Sequence, residues 1–140
     1  MRTILALSVI LTGFTATPAL SAAVEARVDL SEQRMRVYKN GRLQYTWPVS
    51  TARRGKVTPT GAWTAKWTSK NHRSSRYNNA PMPYSVFYSG NYAIHGTNHV
   101  KRLGRPASAG CIRLHPDNAR VFYNMALRAG LKNTKVRVTR

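Results

Sequence analysis

Three of the four histidines and the only cysteine of this 140-residue chain fall in one segment, IHGTNHVKRLGRPASAGCIRLHP, from Ile94 to Pro116. Two chemistries use imidazole and thiol together. One is metal binding: zinc takes neutral imidazole and thiolate in tetrahedral sets, and His95-x3-His99 and Cys111-x3-His115 are suggestive spacings. Histidines four apart converge on a helical face, however, and the Gly, Thr and Asn between His95 and His99 are poor helix formers. His115 precedes Pro116, which turns it away from helical geometry. With no CxxC pair either, neither a metal nor another cofactor is expected.

The other chemistry is nucleophilic attack. A thiolate attacks a carbonyl where a thiol, with its pKa of about 8.5, does so poorly, and a neighbouring histidine can remove the proton. Gly110 lets the backbone bend tightly before Cys111, so that amides around both can aim at a developing oxyanion. On residue type alone any of the three histidines could be the base. His95 is favoured because it ends a strand-like run, a rigid platform for a group that must stay within hydrogen-bond reach. The expectation is a Cys111 sulfur held ionised beside the His95 ring.

The elements that must position these groups read mostly as strands. ARVDL and RMRVY are extended around a break at Ser31-Glu32, Asn40-Gly41 signals a hairpin, and RLQYTWPVST returns. ARRGKVTPTG is a loop with a turn at Thr58-Pro59-Thr60-Gly61, and AWTAKW, alternating Trp63, Ala65 and Trp67, reads as one strand. The polar stretch from Thr68 to Pro83 reads as a long surface loop of the lid type, with His72 exposed in it. YSVFYSGNYAIH gives two strands around Ser89-Gly90-Asn91. One principal helix follows the cysteine: Pro116 and Asp117 suit its start and Gly130 its stop. Phe122, Met125, Ala126 and Ala129 form its core-facing stripe. TKVRVT is the last strand. The fold class is mainly β with one α-helix.

Charge and leader set the compartment. A short basic start, an apolar run from Ile4 to Phe14 and small residues in TPALSAA have the order of a secretory signal. Residues 1–22 are therefore expected to be a leader, cleaved near Ser21–Ala23, and residues 23–140 a single domain. The apolar run falls short of the ~20 residues that span a bilayer, and no other segment approaches it. Lys and Arg number 23 against 4 Asp and Glu, a net charge of +19 spread along the chain. Such a surface attracts polyanions, and export disfavours nucleic acid as the partner. A lone cysteine makes no internal disulfide, and in an oxidising compartment it needs burial or a use.

IHGT, LGRPAS and GCIRL before a helix, with VSTARRGKVTPTG upstream, together resemble the L,D-transpeptidase (YkuD-type) catalytic domain over nearly all of residues 23–140. The resemblance implies a β-sandwich with a helix on the cysteine side and acyl transfer on peptidoglycan stem peptides. It implies that Cys111 attacks the carbonyl on the L-centre of the third stem residue and expels D-alanine. His95 would be the base, oriented by the Gly96 carbonyl, and backbone amides at Gly110 and Cys111 the oxyanion donors. Ser108 and Arg113 would support the loop or hold a substrate carboxylate, and Tyr84, Thr97 and Asn98 would contact substrate. Tyr77, Met82 and Tyr84 either line a donor groove or pack the long loop. Many relatives carry histidine where this chain has Ala109. The acceptor would be a stem-peptide amine, an amine of an envelope protein, or water, the last making a carboxypeptidase. The implied enzyme is monomeric and periplasmic or envelope-associated. A non-catalytic cationic wall-binding protein on the same fold is the alternative.

Overall fold

Alternation builds the first sheet. In β1 (Val24–Asp29) Val24, Ala26 and Val28 are buried while Arg27 faces water, the period of two that a half-buried strand requires. The computed structural model describes Gly13, Phe14 and residues 23–140; the expected leader lies otherwise outside them. Antiparallel to β1 runs β2 (Arg34–Lys39), which turns at Asn40-Gly41 into β3 (Arg42–Pro48). Both turn residues have positive φ, 49° and 77°, as a two-residue hairpin of this hand needs. The C-terminal strand β9 (Thr134–Thr139) lies parallel to β1, and β4 (Gly61–Thr64) closes the order β3-β2-β1-β9-β4.

The second sheet carries β5 (Trp67–Arg73), β6 (Pro81–Ser89), β7 (Tyr92–Gly96) and β8 (Ile112–Leu114), in that order. Val86, Tyr88, Ile94, Ile112 and Leu114 face inward against Val28, Met35, Val37, Val136 and Val138 of the first sheet, forming one core. Helix α1 (Pro116–Ala129) packs on β6 and β7 and adds Ala119, Phe122 and Ala126 to it. Met125 and Ala129 of the expected stripe flank the core half-buried. The imidazole of His115 caps α1, accepting from the Asp117 N–H at 3.1 Å.

Two expectations are corrected. AWTAKW is not one strand: Ala65 donates to Thr134 O of the first sheet (2.9 Å) and Lys66 to Phe87 O of the second (2.8 Å), so the chain crosses between layers there. Residues 68–83 are not a long loop: all but 74–80 belong to the β5–β6 hairpin. Their polar composition reflects an edge strand, whose outer flank must discourage further pairing. Pro81 starts β6, and Tyr84 at φ 54° interrupts its pairing, which is how a strand holds two prolines.

Candidate active site

With Ile94 turned into the core, its strand neighbours Ala93 and His95 point to the outer face of the second sheet. Strand β8 runs parallel to β7 with His95 level with Arg113. Ile112 and Leu114 are buried, so Cys111 and Arg113 project to that same outer face. Met82, Phe87 and Ala93 form a small apolar floor there, and Cys111 packs against it. A cleft of about 360 Å3 opens above, lined by His95, Cys111, Arg113, His72, Arg76 and Tyr77 among others. Thr97, Asn98 and Ser108 also line it.

His95 is buried, and its Nδ1–H donates to the Gly96 carbonyl at 2.6 Å. A carbonyl only accepts, so Nδ1 carries the proton and Nε2 keeps its lone pair. Gly96 is needed at this place: a Cβ there would stand 3.0 Å from Pro83 Cγ and 3.1 Å from Pro116 Cα. Desolvation pulls the His95 pKa down to about 4, aided by the Arg113 and His72 charges and opposed by the Gly96 hydrogen bond. Cys111 is half-buried and its thiol donates to the Asn91 carbonyl at 3.6 Å. Burial pushes that thiol up, against the smaller pull of the Ala93 amide and Arg113. Burial thus disfavours the charged form of both groups, the thiolate at Cys111 and the imidazolium at His95. That direction runs against the expected ionised sulfur, with desolvation the largest cause.

The loop before Cys111 is built from buried polar groups. Gly110 has φ 138°, and a Cβ there would lie 2.7 Å from Tyr92 Cε1 and 2.8 Å from Val57 O. Its N–H donates to Ser108 Oγ (3.0 Å), and Ser108 in turn donates to the Cys111 carbonyl (2.6 Å). The Gly110 amide is therefore already engaged, which corrects its expected place as an oxyanion donor. Thr58 Oγ1 donates to the Gly110 carbonyl at 2.8 Å and accepts from the Ala52 N–H at 2.9 Å, so the TPTG turn clamps the cysteine loop. Behind it, Gln33 accepts from the Thr51 N–H (3.0 Å) and donates to Thr51 Oγ1 (2.7 Å) and Leu30 O (2.8 Å). Thr51 O then accepts from the Ser108 N–H at 2.8 Å.

Arg113 is half-buried; its guanidinium donates to Ala107 O at 3.3 Å and its backbone exchanges two bonds with Ser50 (2.9 and 3.0 Å). Desolvation lowers its pKa, with the Cys111 interaction opposing. Thr97 is buried and its hydroxyl accepts from the His99 N–H (3.1 Å), while Asn98 is exposed. Tyr84 does not line the cleft: it sits edge-on to Tyr123 of α1 with ring centroids 5.5 Å apart, a packing position. Of the three candidates on that stretch, only Tyr77 and Met82 line the cleft. His72 is not surface-exposed as expected; it is half-buried in the cleft wall. Among the described residues no three His, Cys, Asp or Glu side chains converge as a metal site. Residue patterns gave no notice of Gln33, and marked Thr58 and Asn91 only as turn residues, because their contacts run through backbone groups that sequence spacing does not expose.

A family model described as the L,D-transpeptidase catalytic domain (YkuD) matches residues 23–138. The YkuD protein of Bacillus licheniformis is 29% identical over 92 residues, 63% of this chain and 51% of that one. The chain thus spans about half the length of the curated relatives it matches. Among solved structures, the L,D-transpeptidase of Stackebrandtia nassauensis aligns over 93% of this chain and 62% of its own, at 23% identity and TM-score 0.75. L,D-transpeptidase 3 of Mycobacterium tuberculosis, solved with a faropenem-derived adduct, aligns over 84% and 60%, at 19% identity and TM-score 0.74. These structural likenesses show the fold: a mainly-β catalytic domain with one helix.

Proposed function

Because this chain belongs to the L,D-transpeptidase (YkuD-type) catalytic-domain family, we propose that it is an exported cysteine acyltransferase acting on peptidoglycan stem peptides. The observation that carries this reading is the placement of Cys111 and His95 on one face of the parallel β7–β8 pair, lining one cleft, with His95 Nε2 free to accept a proton. As sulfur attacks the carbonyl on the L-centre of the third stem residue, Nε2 takes the thiol proton. Starting from a neutral pair, charge separation is uphill by about 1.4 kcal/mol per pKa unit, so proton transfer and attack belong together. The Cys111 amide is left to meet the developing oxyanion, since the Gly110 amide is engaged by Ser108. The tetrahedral adduct collapses when Nε2 returns its proton to the departing D-alanine nitrogen, leaving a thioester on Cys111. An amine of a second stem peptide or of an envelope protein then takes the acyl group; water in its place gives hydrolysis.

Arg113 lines the cleft with Cys111 and can hold a substrate carboxylate with the guanidinium edge not bound to Ala107. Support for covalent chemistry comes from the faropenem-derived adduct carried by the Mycobacterium tuberculosis relative. The test is intact-protein mass spectrometry after incubation with faropenem or a tetrapeptide donor. A stoichiometric mass increase that maps to Cys111 and vanishes in Cys111→Ala is expected. An unmodified parent protein with both reagents would set the reading aside.

A further inference from the structure

Acyl transfer to an amine, on the reading just given, leaves one proton without a carrier. An ammonium acceptor R–NH3+ loses two protons on becoming the amide R–NH–C(=O), while the C–S bond breaks and sulfur regains only one. His95 cannot take both: its Nδ1–H is fixed on the Gly96 carbonyl, and the one proton its Nε2 can carry is the one returned to sulfur. We propose that His72 carries the surplus proton of the acceptor half-reaction, taking it from the incoming ammonium and releasing it to water.

His72 lines the same cleft as Cys111 and His95 and keeps partial exposure to solvent. Its ring stands edge-on to Phe87 (centroids 4.9 Å, 74°) and Trp67 (5.7 Å, 75°), contacts that fix its plane. Imidazole is the side chain suited to passing protons near neutrality. The remaining charges in the cleft act in the same direction. Arg76 and Arg113 line it and, among the described residues, no carboxylate does. Like charges disfavour the ammonium form of the acceptor, and no anion is present to trap the proton on His72. The sequence of events balances: ammonium N–H to His72; N–C bond formation by the neutral amine; C–S cleavage with the second N–H proton passing through His95 Nε2 to sulfur; His72 to water.

The test separates acceptors by charge. The acyl-enzyme is loaded with a tetrapeptide donor, and its decay at pH 7 is followed by mass spectrometry with two amines. One is a lysine derivative whose ε-amine, with pKa about 10.4, is charged; the other is hydroxylamine, already neutral. His72→Gln, and His72→Phe, which keeps a ring edge against Phe87 and Trp67, are expected to slow the lysine reaction at least about tenfold while hydroxylamine stays within about twofold. Added imidazole should restore part of the loss. An equal fall with both amines would assign His72 to packing and overturn the proposal, as would no change in either variant. A selective fall in His99→Gln alone would move the role to His99. Absence of acyl-enzyme in the parent protein is a separate result, removing the transfer reading itself.

Discussion

His95 keeps its proton on Nδ1 because the Gly96 carbonyl can only accept, and burial makes a second proton costly. On the proposed mechanism the active form is the neutral Cys111–His95 pair, which sets the pH dependence. Acylation by a tetrapeptide donor should be level from about pH 5 to beyond 8, since imidazole protonates only near pH 4 and burial raises the thiol. A rate that falls on acidification with a midpoint near 6.5 would contradict the depressed imidazole. The same shift acts on stability. A histidine whose folded pKa lies below its unfolded value of about 6.5 binds fewer protons when folded, so stability is whole above pH 6.5 and lost as pH falls toward 4. For His95 that loss is on the order of 3 kcal/mol. Urea unfolding midpoints at pH 7 and pH 4.5 should differ accordingly, and the difference should shrink in His95→Gln. At Gly110, a methyl group meets both Tyr92 and the Val57 carbonyl at under 3.0 Å with φ at 138°. Gly110→Ala should therefore displace Cys111 and lower the acylation rate by about a hundredfold.

At the scale of elements, the cysteine loop is held less by its own strand than by the TPTG turn and the β1–β2 connection. Thr58 joins Ala52 to Gly110, and Gln33 joins Leu30 and Thr51, whose carbonyl anchors Ser108. Thr58→Val keeps the shape but strands the part-buried Ala52 N–H and the buried Gly110 carbonyl, a cost of about 1–3 kcal/mol. Thermal unfolding and the adduct rate should fall together in this variant, whereas a lowered midpoint with an unchanged rate would show that the clamp serves stability alone. Periodicity made the helix, the NG hairpin and the strand bearing His95 legible, because each carries its signal within a few residues. It failed where a strand's composition answers to its neighbours. An edge strand reads as a polar loop from Thr68 to Arg73, and alternation in AWTAKW cannot reveal that the pairing partner changes at Ala65. The proposed nucleophile and base, Cys111 and His95, were legible as residue types. His72 was not, because a β5 side chain reaches the cleft only through the β5-β6-β7 order, a long-range fact.

At the scale of the whole molecule, 23 basic and 4 acidic side chains cannot be reconciled by pairing. The pairs that form, Arg27–Glu25 and Arg36–Glu32 at 2.9 Å and Arg137–Glu25 at 3.6 Å, leave most cations facing water. Such a surface repels itself and attracts an anionic polymer, and salt screens both effects. Raising ionic strength from about 0.01 to 0.15 M shortens the Debye length from about 30 to 8 Å. Two opposite changes should follow from that one cause. The thermal midpoint should rise as self-repulsion is screened, while the fraction retained on isolated peptidoglycan sacculi in a pelleting assay should fall. Steps that change the two in opposite directions with the same midpoint in salt would identify diffuse charge as the common origin. Retention that persists at 0.15 M while the midpoint rises would mean that the wall is held by the cleft, through contacts too short to screen.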